Sequence, residues 1–206
     1  GSRPLVGQTG EARSPRIKEI NRDQLQLRMV DVEKLVGQDH PVRAIWEFAL
    51  RLDLGKYYDS IQALEGLAGR PPLDPRVMIS VWIYGYSKGI SSAREISRLC
   101  EYDPAYQWLI GLEQINYHSL SDFRVKNKES LDDLFGQILG LLSAEGLITL
   151  ERVMQDGTRI KASAGGNTFR REDKIRAHLE VARNQVQELS CQGEDEQVTF
   201  RELRAK

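Results

Sequence analysis

The chain has 206 residues, of which 40% are hydrophobic and 29% are charged, and its formal net charge at pH 7 is −1. This length and hydrophobic content suffice for a sizeable core, but no apolar run approaches the roughly 18 residues that a membrane span needs. Because opposite charges nearly cancel, composition alone indicates neither a nucleic-acid nor a membrane partner.

Residues 1–30 are predicted to be a flexible arm, because glycine and proline are frequent at the start and large apolar residues are scarce. Basic residues are in excess in this arm and again in 152–176. Cys100 and Cys191 are 91 positions apart and belong to no C-x-x-C motif or His/Cys cluster. This spacing disfavours a disulfide scaffold or a structural zinc site and predicts a reducing, cytoplasmic compartment.

Residues 31–146 are predicted to form a helical domain with clearly marked helix starts. Asp39-His40-Pro41, Asp74-Pro75 and Asp103-Pro104 each place a polar side chain at or near the helix cap and a proline at the first helical position. Ser92 begins a capping box, and Ser119 resembles one. Residues 77–84 are apolar on nearly every side, which predicts a buried central helix. The predicted helices lie near 41–53, 75–88, 92–100, 104–110, 119–128 and 130–145, and a short helix is predicted within 53–68.

The pattern changes after Gly146. Residues 148–153 and 158–162 are predicted to be two strands of a hairpin, because Asp156-Gly157 between them is a strong two-residue turn signal. Residues 172–190 return to a helix with an apolar heptad-like stripe, and 194–196 are predicted to be a solvated loop. The stripe favours packing on a neighbouring element over a coiled coil, and self-association through this helix is the alternative. Its members are Ile175, Leu179, Ala182, Val186 and Leu189.

Several basic side chains could contact phosphate. Arg94 and Arg98 have i, i+4 spacing on one predicted helix. On a helix that starts near Ser119, Arg124, Asn127 and Lys128 would share a second face. Such rows neutralise phosphates in DNA-binding helices, but the neutral charge of residues 71–130 by itself favours an ordinary solvated surface.

Asp156 has two interpretations. An aspartate before glycine is a common turn former. Alternatively, its carboxylate follows the first strand of a nuclease-type sheet and binds Mg²⁺, which prefers oxygen ligands and activates water or a sugar hydroxyl for attack on phosphorus.

Four segments, taken together and in order, resemble bacterial insertion-sequence transposases of the DDE superfamily. They are residues 39–43 (DHPVR), 69–75 (GRPPLDP), 118–124 (HSLSDFR) and 156–162 (DGTRIKA). In that family a helical N-terminal domain binds the terminal inverted repeats of the element, and an RNase H-like domain carries an Asp, Asp, Glu triad for Mg²⁺ or Mn²⁺. The resemblance implies that Asp156 is the first, catalytic and metal-binding, member of the triad. The other two acids are expected after residue 206.

The resemblance also implies contacts to double-stranded DNA by Arg124, Lys126 and Lys128, and self-association in a complex that holds two DNA ends. The expected architecture is mainly α: a flexible arm (1–30), a helical DNA-binding domain (31–146), and the first strands of an RNase H-like α/β domain with a long helix (147–206). Neither DNA cleavage nor a tightly bound cofactor is expected of this chain alone. A non-catalytic DNA-binding regulator or transposase remnant is the alternative. A cytoplasmic, bacterial location without a membrane partner is expected.

Overall fold

The structure, a computed structural model, describes residue 27 and residues 29–59, 73–153, 159–162 and 171–204. For residues 152–153, 159–162, 171–172 and 194–204 it describes the backbone alone. The chain divides into two compact units, Gly1–Val30 and Asp31–Lys206. The predicted arm, 1–30, lies almost entirely outside the described residues.

The larger unit is mainly helical, as predicted. A short 3₁₀ helix at Val32–Lys34 comes first, and a two-stranded antiparallel sheet interrupts the helices late in the described part. In chain order the other elements are α1 (Pro41–Leu50), α2 (Gly55–Tyr58), α3 (Pro75–Ser87), α4 (Ala93–Tyr102), α5 (Pro104–Ile110), α6 (Tyr117–Lys126), α7 (Lys128–Ala144), β1 (Leu150–Val153), β2 (Arg159–Ala162) and α8 (Arg171–Arg204).

The predicted proline-marked helix starts are confirmed. The His40 Nδ1 atom accepts a hydrogen bond from the Val42 amide at 3.2 Å, which caps α1. Asp74 and Asp103 cap α3 and α5 through their carboxylates. Each cap satisfies an amide that would otherwise lack a partner at the helix end. The local sequence therefore determines where these three helices begin.

The predicted start of α6 at Ser119 is wrong. The Asn116 side chain accepts from the His118 amide at 2.9 Å, so α6 begins at Tyr117, two residues earlier. The Ser97 hydroxyl donates to the Ile115 carbonyl at 2.9 Å and thereby holds the preceding loop against α4. Asparagine is as good a helix cap as serine. The cap is therefore Asn116, and the hydrogen bond between Ser97 and Ile115 holds the residue just before it.

Helix α3 is the centre of the core, as predicted. Every residue from Met78 to Ser87 is buried, and α3 contacts α1, α4, α5, α7, α8 and β1. Tyr86 meets Trp82 and Phe135 edge to face, with ring centroids 5.8 and 5.3 Å apart. A helix that is apolar all round must be covered on every side, and the five surrounding helices and β1 provide this cover.

Helices α7 and α8 form the most extensive helix pair in the described part of the chain. The predicted apolar stripe of α8 belongs to this core, where Ala182, Val186 and Leu189 are buried. Packing on a neighbouring element is therefore confirmed, and the stripe is not exposed for self-association. Helix α8 is also longer than predicted, since its backbone remains helical beyond Gly193 through the expected loop at 194–196.

The predicted hairpin strands are confirmed as β1 and β2. Val153 pairs with Arg159, and Leu150 pairs with Ala162. A two-residue turn at Asp156-Gly157 would instead pair Val153 with Ile160, so the observed register differs by one residue from that turn. The connection, residues 154–158, contains Asp156 and lies outside the described residues.

The packed core continues across the predicted domain boundary at residue 146. Ile148 and Leu150 are buried in the same core as α3. The Gln185 side-chain amide on α8 donates to the Tyr86 carbonyl at 2.6 Å and to the Glu151 carbonyl at 3.1 Å. One side chain thus links the end of α3 to strand β1. The domain boundary at residue 146 stays a prediction from the sequence.

Candidate nucleic-acid interface

Five of the six residues predicted to contact DNA lie on three helices, the other lies between two of them, and the six are not gathered on one face. Arg94 and Arg98 are exposed on α4, and Lys126 is exposed at the end of α6. Asn127 lies between α6 and α7, and Lys128 is the first residue of α7. Both are half-buried. The sixth residue, Arg124, has a different environment.

Arg124 is buried, which corrects the prediction that it faces DNA. Its side chain is 8% exposed, and its guanidinium forms an ion pair with Asp132 on α7. Its Nε and Nη2 atoms both donate to the Tyr86 hydroxyl at 3.2 Å. Nη2 also donates to the Ser190 hydroxyl at 3.1 Å. Because the guanidinium joins α6 to α3, α7 and α8, it is not available to bind phosphate.

The predicted row of Arg124, Asn127 and Lys128 fails for a geometric reason. Helix α6 ends at Lys126, so the i, i+3, i+4 spacing does not continue on one helix. The Asn127 side-chain amide donates to the Phe123 carbonyl at 2.9 Å, which satisfies the end of α6. The Lys128 carbonyl accepts from the Arg124 Nη1 atom at 3.2 Å.

An exposed patch of arginine and aromatic side chains lies where α4 meets α6. We call it the α4–α6 patch and define it by Arg94, Arg98, Tyr102, Tyr117 and His118. Helix α4 is strongly amphipathic: Ile96 and Cys100 are buried on its inner side. The outer side of α4 carries the two arginines and Tyr102, which follow one another at four-residue spacing.

Arg94 connects the two helices of the α4–α6 patch. Its Cζ atom lies 4.5 Å from the centroid of the Tyr117 ring, and its Nη2 atom donates to the Tyr117 hydroxyl at 3.4 Å. The Tyr117 ring stands 4.0 Å from that of His118, with an angle of 33° between the planes. Cation–π contact of this kind stabilises an exposed guanidinium in one orientation.

Arg98 is held at the other end of the α4–α6 patch. Its Nε and Nη2 atoms donate to the two Glu95 carboxylate oxygens at 2.9 and 2.6 Å. These bonds raise the pKa of the Arg98 guanidinium, which stays charged at every physiological pH. Its Cζ atom lies 5.5 Å from the centroid of the Tyr102 ring, and Tyr102 is 52% exposed.

Sequence reasoning missed the aromatic members of the α4–α6 patch. Tyr102 follows Arg98 by four residues on a predicted helix, so this neighbour was detectable from spacing alone. Tyr117 is 23 positions after Arg94, and its contact depends on how α6 packs on α4. No local pattern indicates that contact.

The described residues contain no group of three or more His, Cys, Asp or Glu side chains able to hold a metal ion. Glu151, the acidic residue of β1, forms an ion pair with Lys88 at 2.7 Å. Its carboxylate is thus already neutralised by a protein cation. Asp156 lies outside the described residues, and its predicted metal-binding role stays a prediction.

Within the described part of the chain, no helix combines the length and the apolar character that crossing a bilayer requires. Residues 30–126, just under half of the chain, match a family model described as Transposase domain (DUF772). No curated protein matches the chain, and neither does any solved structure. The matched residues contain α1 to α6, including the whole α4–α6 patch, and their similarity to this domain supports a transposase-related family for the chain.

Proposed function

We propose that this chain is part of a DNA transposase of the DDE type, and that it binds the terminal inverted repeats of an insertion sequence. The observation that carries the proposal is the position of the α4–α6 patch. An exposed surface with two arginines lies inside the residues that match a transposase domain. Arginine is well suited to phosphate because its planar fork donates several hydrogen bonds at once.

The proposed DNA contacts are made by Arg94 and Arg98 on α4, together with Lys126 at the end of α6. Arg124, Asn127 and Lys128 take a supporting part, because they satisfy the end of α6 and fix it to α7. Glu95 neutralises part of the charge on Arg98, so phosphate must compete with this carboxylate. Because the proposed contacts are between charged groups, we expect affinity to fall as ionic strength rises.

The test is binding of the chain to a short fluorescein-labelled DNA duplex at several salt concentrations. We expect the Arg94→Ala/Arg98→Ala variant to bind more weakly. In a plot of the logarithm of the association constant against the logarithm of the salt concentration, its slope is expected to be less steep by about 2, because two phosphate contacts are lost. Lys34→Ala/Arg51→Ala is the matched control, because it removes two exposed cations from other parts of the chain. Equal effects of the two double variants would contradict the assignment.

In the complete protein, the proposed reaction is divalent-metal-dependent cleavage at the element ends, followed by attack of the freed 3′-hydroxyl on target DNA. Asp156 is the residue of this chain that would hold Mg²⁺ or Mn²⁺. A two-metal mechanism needs additional carboxylates, which the resemblance to DDE transposases puts after residue 206. The ions would supply charge stabilisation at the attacked phosphate.

Asp156→Ala in the complete protein is expected to abolish DNA cleavage and to leave the binding of element ends nearly unchanged. The reason is that the substitution removes metal-binding oxygens and no phosphate-binding cation. Cleavage is measured on a labelled duplex with Mg²⁺, and end binding is measured with Ca²⁺ in its place. Normal cleavage by the variant would remove Asp156 from the active site. A wild-type protein that binds the ends and never cuts them would favour the non-catalytic regulator.

A further inference from the structure

The α4–α6 patch is not a simple row of cations. Along it the order is His118, Tyr117, Arg94, Arg98 and Tyr102, so that aromatic rings flank two guanidinium groups on both sides. The His118 and Tyr117 ring centroids are 4.0 Å apart. The Arg94 guanidinium lies 4.5 Å from the Tyr117 ring centroid, and the Arg98 guanidinium lies 5.5 Å from the Tyr102 ring centroid. His118 is exposed, and so is half of Tyr102.

The charge around this surface is balanced. Glu95 binds the hydrogen-bonding edge of Arg98 through both of its carboxylate oxygens, and Glu101 is exposed on the same helix. A surface that serves only to attract phosphate would carry an excess of positive charge. The planar faces of the aromatic rings are therefore additional recognition elements beside the two arginines, and planar faces fit nucleobases.

We propose that the α4–α6 patch binds unpaired bases of single-stranded DNA, which stack on Tyr102 and His118 while Arg94 and Arg98 contact the backbone. Bases in an intact duplex are already stacked and cannot use these rings, whereas bases at an open or cleaved end can. Stacking on protein aromatic side chains tolerates any base sequence. The inference rests on the proposed DNA-binding function, and it names the DNA element that the patch recognises.

The first experiment compares two fluorescein-labelled probes: a closed DNA hairpin duplex, and the same hairpin with a single-stranded thymidine tail. Wild-type protein is expected to bind the tailed probe at least about fivefold more tightly, which corresponds to stacking of one base. The Tyr102→Leu/His118→Leu variant is expected to lose this preference and to bind both probes as wild type binds the hairpin.

Two control variants separate stacking from general effects. Tyr102→Phe keeps the ring and is expected to keep the preference for the tail. Tyr58→Leu removes another exposed tyrosine, outside the patch, and is expected to change neither affinity. Thermal unfolding of each variant establishes that the fold is retained.

Equal wild-type affinity for the two probes would overturn the stacking proposal and leave duplex binding intact. Parallel loss of hairpin and tail binding in Tyr102→Leu/His118→Leu would overturn it too, because the rings would then support duplex contact. Tighter binding of a uridine RNA tail than of the thymidine tail would also contradict it. Failure to bind either probe would overturn the proposed function itself.

Discussion

Replacing Arg124 with alanine is expected to lower the free energy of unfolding by about 3–5 kcal/mol, the range for breaking a buried ion pair from one side. The substitution leaves the Asp132 carboxylate without its cation and the Tyr86 hydroxyl without its two donors. Burial raises the pKa of Tyr86, so this phenol stays neutral and adds no second negative charge beside Asp132. Urea denaturation, followed by circular dichroism, measures the change.

Lys126→Ala is the matched control, because Lys126 is two residues further along α6 and exposed. It is expected to change the free energy of unfolding by no more than about 0.5 kcal/mol. Ser190→Ala removes a single member of the network and is expected to cost about 1 kcal/mol, a measurable effect if Arg124→Ala does not fold. An Arg124→Ala protein with wild-type stability and weakened DNA binding would contradict the structural role.

The second large effect is expected at Gly140, where α7 touches α8. A Cβ atom built on Gly140 would lie 2.8 Å from the Leu179 Cα atom, so the two helices must move apart to admit it. Gly140→Ala is therefore expected to destabilise the protein by about 1–3 kcal/mol. Helix propensity alone would give the opposite sign, a gain of about 1 kcal/mol for alanine over glycine. The sign of the measured change therefore tests the packing.

Gly136→Ala is the control for this substitution, on the same helix and one turn earlier. Its Cβ atom would meet the Arg183 Cγ atom at 3.0 Å, with the Arg183 Cα atom more distant at 3.7 Å. A flexible arginine side chain can turn aside, whereas the backbone of α8 cannot. We expect Gly136→Ala to be neutral or stabilising. Similar losses for the two variants would show that α8 does not pack on α7 in the described register.

Most helix starts could be predicted from the sequence because their signals are local. A capping side chain followed by proline marks a start whatever the surroundings, as at His40, Asp74 and Asp103. Ser119 failed because Asn116, three positions earlier, is an equally good cap. The strands of the hairpin could be predicted for the same reason. Their register could not, because the Asp156-Gly157 pair alone does not determine which residues of the two strands pair.

The environment of Arg124 could not be predicted from α6 alone. Its partners Tyr86 and Ser190 are 38 and 66 positions away in the sequence. On the helix itself, Arg124 follows the buried Leu120 by four residues and therefore shares its inner side. A basic residue at such a position is usually assigned to solvent, and only the packing of α3, α7 and α8 provides the acceptors that make its burial tolerable.

The segments that carry the resemblance to DDE transposases contain residues with structural roles in this fold. In residues 39–43, His40 caps α1, and Arg43 stacks on Trp108 and donates to the Gly37 and Glu33 carbonyls. In residues 118–124, Arg124 holds four helices together. These segments therefore indicate the architecture, and the proposed DNA contacts Arg94 and Arg98 lie outside them.

The Gln185 amide also has a mechanical consequence. Strand β1 runs into residues 154–158, and α3 leads through Lys88–Ser92 directly into α4, yet both β1 and α3 are fastened to the same NH₂ group on α8. If either element moves by about the length of a hydrogen bond, its own bond to Gln185 breaks or the Gln185 side chain moves with it and strains the bond to the other element. The end of α3 and strand β1 are therefore held to each other through one side-chain amide.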